Sequence, residues 1–201
     1  MIKYNTGKCK HMHIGREQAV EQTCRYKLND QELEMASVEK DIGVHIDDKL
    51  TFDTHICEKV KKANSMFGMI RRNFQFLDES MFVPLYKTYV RSHLDFASSV
   101  WAPYKIKHIE QLEQVQRRAT KQIPGFRNLS YPERLKRLKL PTLSYRRLRG
   151  DLIEVYKITN NVYDTDVHPV LKLWADMAPR TGNRGNSKKL YPQQLGQAGY
   201  T

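Results

Sequence analysis

Between Phe52 and Phe74 the chain carries an apolar stripe that dictates one long amphipathic helix. Phe52, Ile56, Val60, Ala63, Phe67 and Ile70 recur at steps of four, four, three, four and three, the spacing of one face of an α-helix. At about 100° per residue, Lys61 and Arg72 fall roughly opposite that stripe, and Lys59 and Lys62 lie nearer its edges. A second helix is expected from Ile109 to Ile123, with Ile109, Leu112, Val115, Ala119 and Ile123 turned inward. Arg117, Arg118 and Lys121 crowd its last turns, where cations also suit the helix dipole. Pro124-Gly125 ends it.

Charge is the next constraint. The 201 residues carry a formal net charge of +12, and the cations are unevenly placed. Arg117, Arg118, Lys121, Arg127, Arg134, Lys136, Arg137, Lys139, Arg146, Arg147 and Arg149 follow one another with Glu133 as the only anion among them. A surface that is merely solvated mixes its signs; a one-sign block suits a polyanionic partner, nucleic acid first and an anionic membrane surface second. No apolar run approaches the ~18 residues of a membrane span, so no membrane partner is expected. Met1 to Lys10 lacks an apolar signal core, and Cys9, Cys24 and Cys57 are widely spaced and odd in number. The expected location is intracellular and reducing, in nucleus or cytoplasm.

Before the first helix the signals are those of short strands. Cys9, His11 and His13 alternate with Lys10 and Met12 and share one strand face. With Cys24 they raise the question of zinc, but the spacing fits no compact finger or knuckle, so no metal site is expected. Arg25 to Glu34 reads as a hairpin turning at Asn29-Asp30. Asp41 to Ile46 reads as a strand with Gly43 inside it. His45-Ile46-Asp47-Asp48 superficially resembles the paired-aspartate motif of a reverse transcriptase. Its place at a strand-to-helix turn makes the aspartates turn formers that favour the helix start.

After the first helix, Asp78 or Ser80 can cap the next one. Pro84 is either early enough to be tolerated or a kink. Leu85, Tyr89 and Leu94 mark that helix's expected apolar side, and Trp101 is expected in the core. Ser130-Tyr-Pro-Glu133 is a capping box for a short helix burying Leu135 and Leu138. Thr142 can cap a last helix that buries Leu148, Leu152, Val155 and Tyr156 and fades at Thr159-Asn160-Asn161. Two short capped helices around a tight link resemble a helix-turn-helix. From Met177 the composition suggests disorder.

Several motifs occur in one order: Asn5-Thr-Gly-Lys8-Cys-Lys10; Lys40-Asp-Ile-Gly-Val44; Leu85-Tyr-Lys87 with Val90-Arg91-Ser-His-Leu94; Gln116-Arg-Arg-Ala-Thr-Lys121 with Ile123-Pro-Gly125; and Leu148-Arg-Gly-Asp-Leu-Ile153. Together they resemble the C-terminal part of the reverse transcriptase of non-LTR (LINE-type, jockey-like) retrotransposons, over about residues 1–165. The resemblance implies that residues 1–50 are the tail of a polymerase palm and its primer-gripping strands. Residues 51–125 would be a helical thumb and 126–165 a basic helical extension, followed by a largely disordered tail over 166–201. It makes Lys8 a vestigial counterpart of the palm lysine that assists pyrophosphate departure. The family's two metal-binding acidic motifs lie upstream, so no cofactor is expected here, although the intact enzyme uses Mg2+.

The expected fold is therefore α+β, mostly α: short N-terminal strands, a thumb-like helical bundle and basic C-terminal helices. The expected function is non-catalytic binding of RNA, DNA or an RNA/DNA hybrid by a transposable-element remnant, a truncated reading frame that begins at an internal methionine. The candidate nucleic-acid-binding residues are Lys61, Arg72, Arg117, Arg118, Lys121, Arg134, Arg137, Arg146 and Arg147. The alternatives are a protein-interaction module that docks on an intact polymerase of the same family, or part of an active polymerase whose catalytic region lies upstream.

Overall fold

The computed structural model describes residues 5–14, 25–164, 166, 171–174 and 188–191. The protein is α+β and mostly α. Among the described residues its strands are short and form three separate pairs. β1 (Lys10–His11) lies parallel to β4 (Glu34–Met35), while β2 (Lys27–Leu28) pairs antiparallel with β3 (Gln31–Glu32). β5 (Val38–Asp41) and β6 (Val44–Asp47) form the third pair, an antiparallel hairpin. The helices follow: α1 (Asp53–Asn73), α2 (Glu79–Leu85), a π-helical segment (Tyr86–Arg91), α3 (Ser92–Asp95), α4 (Ser98–Trp101), α5 (Ile106–Lys121), α6 (Tyr131–Leu138) and α7 (Leu143–Thr159). Among the described residues no helix is long and apolar enough to cross a membrane.

Two compact units are distinguished, residues 1–147 and 148–201. The first holds a continuous core that runs from Val44 through Ile56, Phe67, Phe82, Tyr86, Leu94, Trp101, Leu112, Val115 and Phe126 to Leu143. That core crosses the boundaries expected at 50 and 125 without a break. Most of the stretch expected to be a disordered tail, and Cys24 of the zinc question, lie outside the described residues. Within the second unit, Leu173 and Leu190 form an isolated antiparallel bridge.

The long stripe behaves as its period demands. Ile56, Ala63, Phe67 and Ile70 of α1 are buried, and Phe52 and Val60 pack against the same core. The turn that starts α1 is built by Asp47. Its carboxylate accepts backbone N–H bonds from Lys49 at 3.2 Å, Thr51 at 2.9 Å and Phe52 at 2.6 Å. These bonds span a backbone in which Leu50 and Phe52 both have left-handed φ, 51° and 56°, a conformation that disfavours residues with a side chain. Burial by itself would raise the Asp47 carboxyl; the N–H bonds from Thr51 and Phe52 outweigh it and hold the group below the usual range.

Three expectations are corrected. Gly43 does not sit inside a strand. With Ile42 it forms the tip of the β5–β6 hairpin, where both have positive φ, 41° and 83°, as a primed two-residue turn requires. Of the expected apolar side Leu85, Tyr89 and Leu94, Leu94 is buried and Leu85 packs against the core, but Tyr89 is not part of it. Phe82, Tyr86, Val90 and Leu94 are enclosed while Tyr89 is exposed. Steps of four drift around an ordinary helix. The wider winding of Tyr86–Arg91 absorbs that drift, and the missing N–H of Pro84 loosens the ladder just before it. Lastly, α7 buries Leu143 and Arg147, whereas Leu148, Leu152 and Tyr156 are 58%, 61% and 65% exposed.

Beneath the hairpin, His55 is fully enclosed, with its ring 5.1 Å from that of Trp101. Its Nδ1 accepts the His45 N–H at 3.1 Å, so the neutral form is the one built into the fold. Burial, followed by the charges of Lys59 and His45, brings its pKa from 6.5 to about 4. Between those values the unfolded chain holds the extra proton. Stability is then full above pH 6.5 and falls as pH drops toward 4, by up to roughly 1.4 kcal/mol per pH unit. His55→Asn keeps an acceptor for the His45 N–H and cannot titrate, so its urea midpoint should depend less steeply on acid; an equal slope would place the titration elsewhere. Asp47→Ala should cost roughly 2–4 kcal/mol in urea unfolding, because three N–H donors lose their acceptor where the backbone is strained.

Candidate nucleic-acid interface

The basic face of α5 is set by what its other face buries. Leu112, Val115, Gln116 and Ala119 are enclosed, which turns Arg117 and Lys121, one turn apart, toward solvent. Arg117, Arg118 and Lys121 are all exposed, as are Arg127, Lys136 and Lys139 beyond the helix. Lys121 and Arg127 line an open concavity of about 550 Å³ together with Gln122 to Gly125. Gly125 has φ 80° and makes the bend. Glu133, the one anion of this sequence block, is occupied: it accepts the Ser130 N–H at 2.8 Å and closes the capping box of α6.

The face is held in place by a buried polar network that apolar periodicity could not show. Tyr86 donates to Gln116 Oε1 at 2.8 Å. Gln116 Nε2 donates to the Tyr131 hydroxyl and to the Pro141 carbonyl, each at 3.0 Å. The Tyr131 hydroxyl donates to Glu113, whose other oxygen accepts the Leu143 N–H at 3.0 Å. Burial pushes both tyrosines above their ordinary pKa, and for Tyr131 the bond to Glu113 adds to it. These are the sites that sequence reasoning missed. A glutamate and a glutamine inside an amphipathic pattern read as surface unless their partners, up to thirty residues away, are known.

The expected set of cations does not form one surface. Arg134 is 6% exposed; its guanidinium lies 5.5 Å from the Tyr131 ring centre and donates to the Arg117 carbonyl at 3.1 Å. Arg147 is also 6% exposed and donates to Ser144. Both are withdrawn from the surface because their planar groups are taken up in packing. Arg137 is exposed but pairs with Glu79 and lies 4.7 Å over the Phe126 ring. Arg146 donates to Asp95 at 2.9 Å, and Arg91 pairs with the same carboxylate. Lys61 is exposed and paired with Glu58 at 3.1 Å. Arg72 is exposed on the same helix, and Lys8 is exposed at the end of the short turn Thr6–Lys8. What remains together is Arg117, Arg118 and Lys121, with Arg127 beside them. Arg117 is steered by Tyr131, its guanidinium 4.9 Å from the ring centre.

At the other end of α5, Asp53 of α1 binds Lys105 at 2.9 Å and His108 Nε2 at 2.9 Å. Lys105, the first cause, with desolvation opposing it, keeps the Asp53 carboxyl below its usual range. This clamp joins the starts of α1 and α5. Of the Asp47–Asp48 pair, Asp47 has the turn-forming role expected, while Asp48 contributes a backbone N–H bond to the Ser37 carbonyl. Among the described residues no group of three or more His, Cys, Asp or Glu is arranged to hold a metal ion.

Among known proteins, the chain is similar to an uncharacterized protein of the nematode Caenorhabditis elegans, 24% identical over 131 residues. The match covers 64% of this chain and 64% of the length of that protein. No family model matches the chain, and no solved structure matches it.

Glu113→Leu should lower stability by roughly 2–4 kcal/mol, since it strands the buried Leu143 N–H and Tyr131 hydroxyl. Glu133→Ala, which removes only a surface cap, should cost about 1 kcal/mol. Urea unfolding of the two variants side by side checks the ranking, and equal losses would contradict it.

Proposed function

We propose that this chain binds nucleic acid without catalysing a reaction, as the thumb-like C-terminal segment of a non-LTR reverse transcriptase would. Its ligand is the sugar–phosphate backbone of RNA, DNA or an RNA/DNA hybrid. The observation that carries this reading is the exposed cluster of Arg117, Arg118 and Lys121 with Arg127 across the neighbouring concavity, in a stretch whose one carboxylate is committed to a helix cap. Guanidinium and ammonium groups on a rigid helix neutralise phosphates and release counterions, an affinity that does not depend on base sequence. The motif resemblance described above supports the same assignment. The Asp47–Asp48 pair gives no support to a polymerase centre, because the Asp47 carboxylate is already saturated by backbone donors.

A second reading, docking on a protein such as an intact polymerase of the same family, draws on α7. Leu148, Leu152 and Tyr156 line one side of that helix and are exposed, a face suited to another apolar surface. The two readings differ in salt dependence.

Fluorescence anisotropy with a labelled RNA/DNA hybrid duplex tests the first. Affinity should fall steeply with salt. Arg117→Gln, Arg118→Gln and Lys121→Gln together should weaken binding about tenfold or more and flatten the log–log salt slope by about 2–3. Equal affinity of triple variant and wild type at low salt overturns the assignment, and salt-insensitive capture of a polymerase with no affinity for duplex favours the second reading.

A further inference from the structure

A second cationic cluster lies far from α5 in sequence, and the tertiary fold assembles it. Its hub is Phe96, the residue after α3. The Phe96 ring stands so close to the hairpin tip that a Cβ at Gly43 would meet it at 3.3 Å, and Lys59 of α1 sits over the same ring, 5.0 Å from its centre. Lys40 of β5 pairs across the hairpin with His45. The His45 N–H binds His55, which lies one helical turn before Lys59. Lys62 follows Lys59 by one more turn, and His93 comes from α3. Hairpin and α1 thus bring the ammonium groups of Lys40 and Lys59 together with Lys62 following, and α3 sets beside them the His93 ring, an uncharged N–H donor because its pKa lies below the usual 6.5.

None of these four groups, Lys40, Lys59, Lys62 and His93, makes an ion pair or a hydrogen bond to a carboxylate among the described residues. Strand alternation turns Glu39 and Asp41 to the face opposite Lys40, and Glu39 is within 3.8 Å of Lys10. The electrostatic consequence is mutual repulsion. Desolvation and then Lys40 pull Lys59 below its ordinary pKa, and desolvation followed by Lys62 and Lys59 does the same to His93. The Phe96 ring attracts the Lys59 ammonium and holds it in place. Cations gathered in this way, with no carboxylate paired to them among the described residues, leave a place for an anion.

We propose that Lys40, Lys59, Lys62 and His93 form a second phosphate-binding cluster, which holds the backbone of the same nucleic acid that the α5 face grips. The inference rests on the reading given under Proposed function. The cluster and the α5 face belong to one compact unit, residues 1–147, so their separation is fixed, and a polyanion long enough to span it gains affinity from the linked second contact without new chemistry. An isolated phosphate would gain nothing from that linkage.

The test compares three proteins by anisotropy with the labelled hybrid duplex over a salt series: wild type, the variant Lys40→Gln/Lys59→Gln/Lys62→Gln, and Lys40→Arg/Lys59→Arg/Lys62→Arg. The glutamine variant should bind about tenfold or more weakly with a salt slope shallower by about 2–3, and the arginine variant should bind as wild type does. Thermal melting of each protein separates lost binding from lost fold. If the glutamine variant melts early, Lys62→Glu alone, at an exposed position, should still weaken binding several-fold. Unchanged affinity and slope in the glutamine variant, while the α5 triple variant loses binding, overturns this inference and leaves the first reading standing. Absence of duplex binding by the wild type overturns both. Salt-sensitive binding of the wild type to phosphatidylserine vesicles, lost in the glutamine variant while duplex binding is kept, also overturns it and assigns the cluster to a membrane.

Discussion

Gln116 is fully enclosed, and an amide sealed in an apolar core must find protein partners or cost the full desolvation of its polar atoms. Its partners come from four places in the chain: Tyr86 in the π-helical segment, Tyr131 at the start of α6, the Pro141 carbonyl before α7, and Glu113 indirectly through Tyr131. Apolar packing alone would let α5, α6 and the start of α7 slide over one another. Directional bonds remove that freedom. The orientation of the basic face of α5 therefore follows from a polar group on its opposite side.

That arrangement sorts the arginines. A guanidinium stacks, donates in a plane and stays charged when partly desolvated. The fold uses Arg134 to brace Arg117 and Tyr131, and Arg91 and Arg146 to share Asp95. The cations that remain exposed as a group, Arg117, Arg118 and Lys121, have no carboxylate partner among the described residues. The excess of positive charge in this region thus has two causes, one structural and one suited to a polyanion, and counting charges in the sequence cannot divide them.

The hairpin and its neighbours follow the same logic. Asp47 stabilises a turn in which Leu50 and Phe52 take left-handed backbone angles, and that turn delivers α1 at the angle its stripe needs to reach the core. The hairpin tip in turn meets Phe96, which positions Lys59. A residue that reads as a turn former is in this way a distant support for a charge cluster.

Periodicity determined α1 and α5 within a few residues, because an amphipathic stripe repeats locally and needs no knowledge of its partners. Local signals likewise placed the turn at Asn29-Asp30, where both residues have positive φ between β2 and β3. They also placed the caps at Asp78, which accepts the Met81 N–H, at Ser130, which closes the α6 capping box, and at Thr142, which accepts the Tyr145 N–H. The wider winding after Pro84 escaped, since a steady step of four looks like an ordinary helix until its buried residues are seen. The exposed side of α7 escaped for a related reason: an apolar stripe says that a face can be covered, not that it is. Of the candidate site, Arg117, Arg118 and Lys121 were legible as one helix face. The removal of Arg134 and Arg147 into the interior was not, nor was the gathering of Lys40, Lys59, Lys62 and His93. Those depend on contacts between residues far apart in the chain, and only the tertiary structure brings such residues within reach of each other.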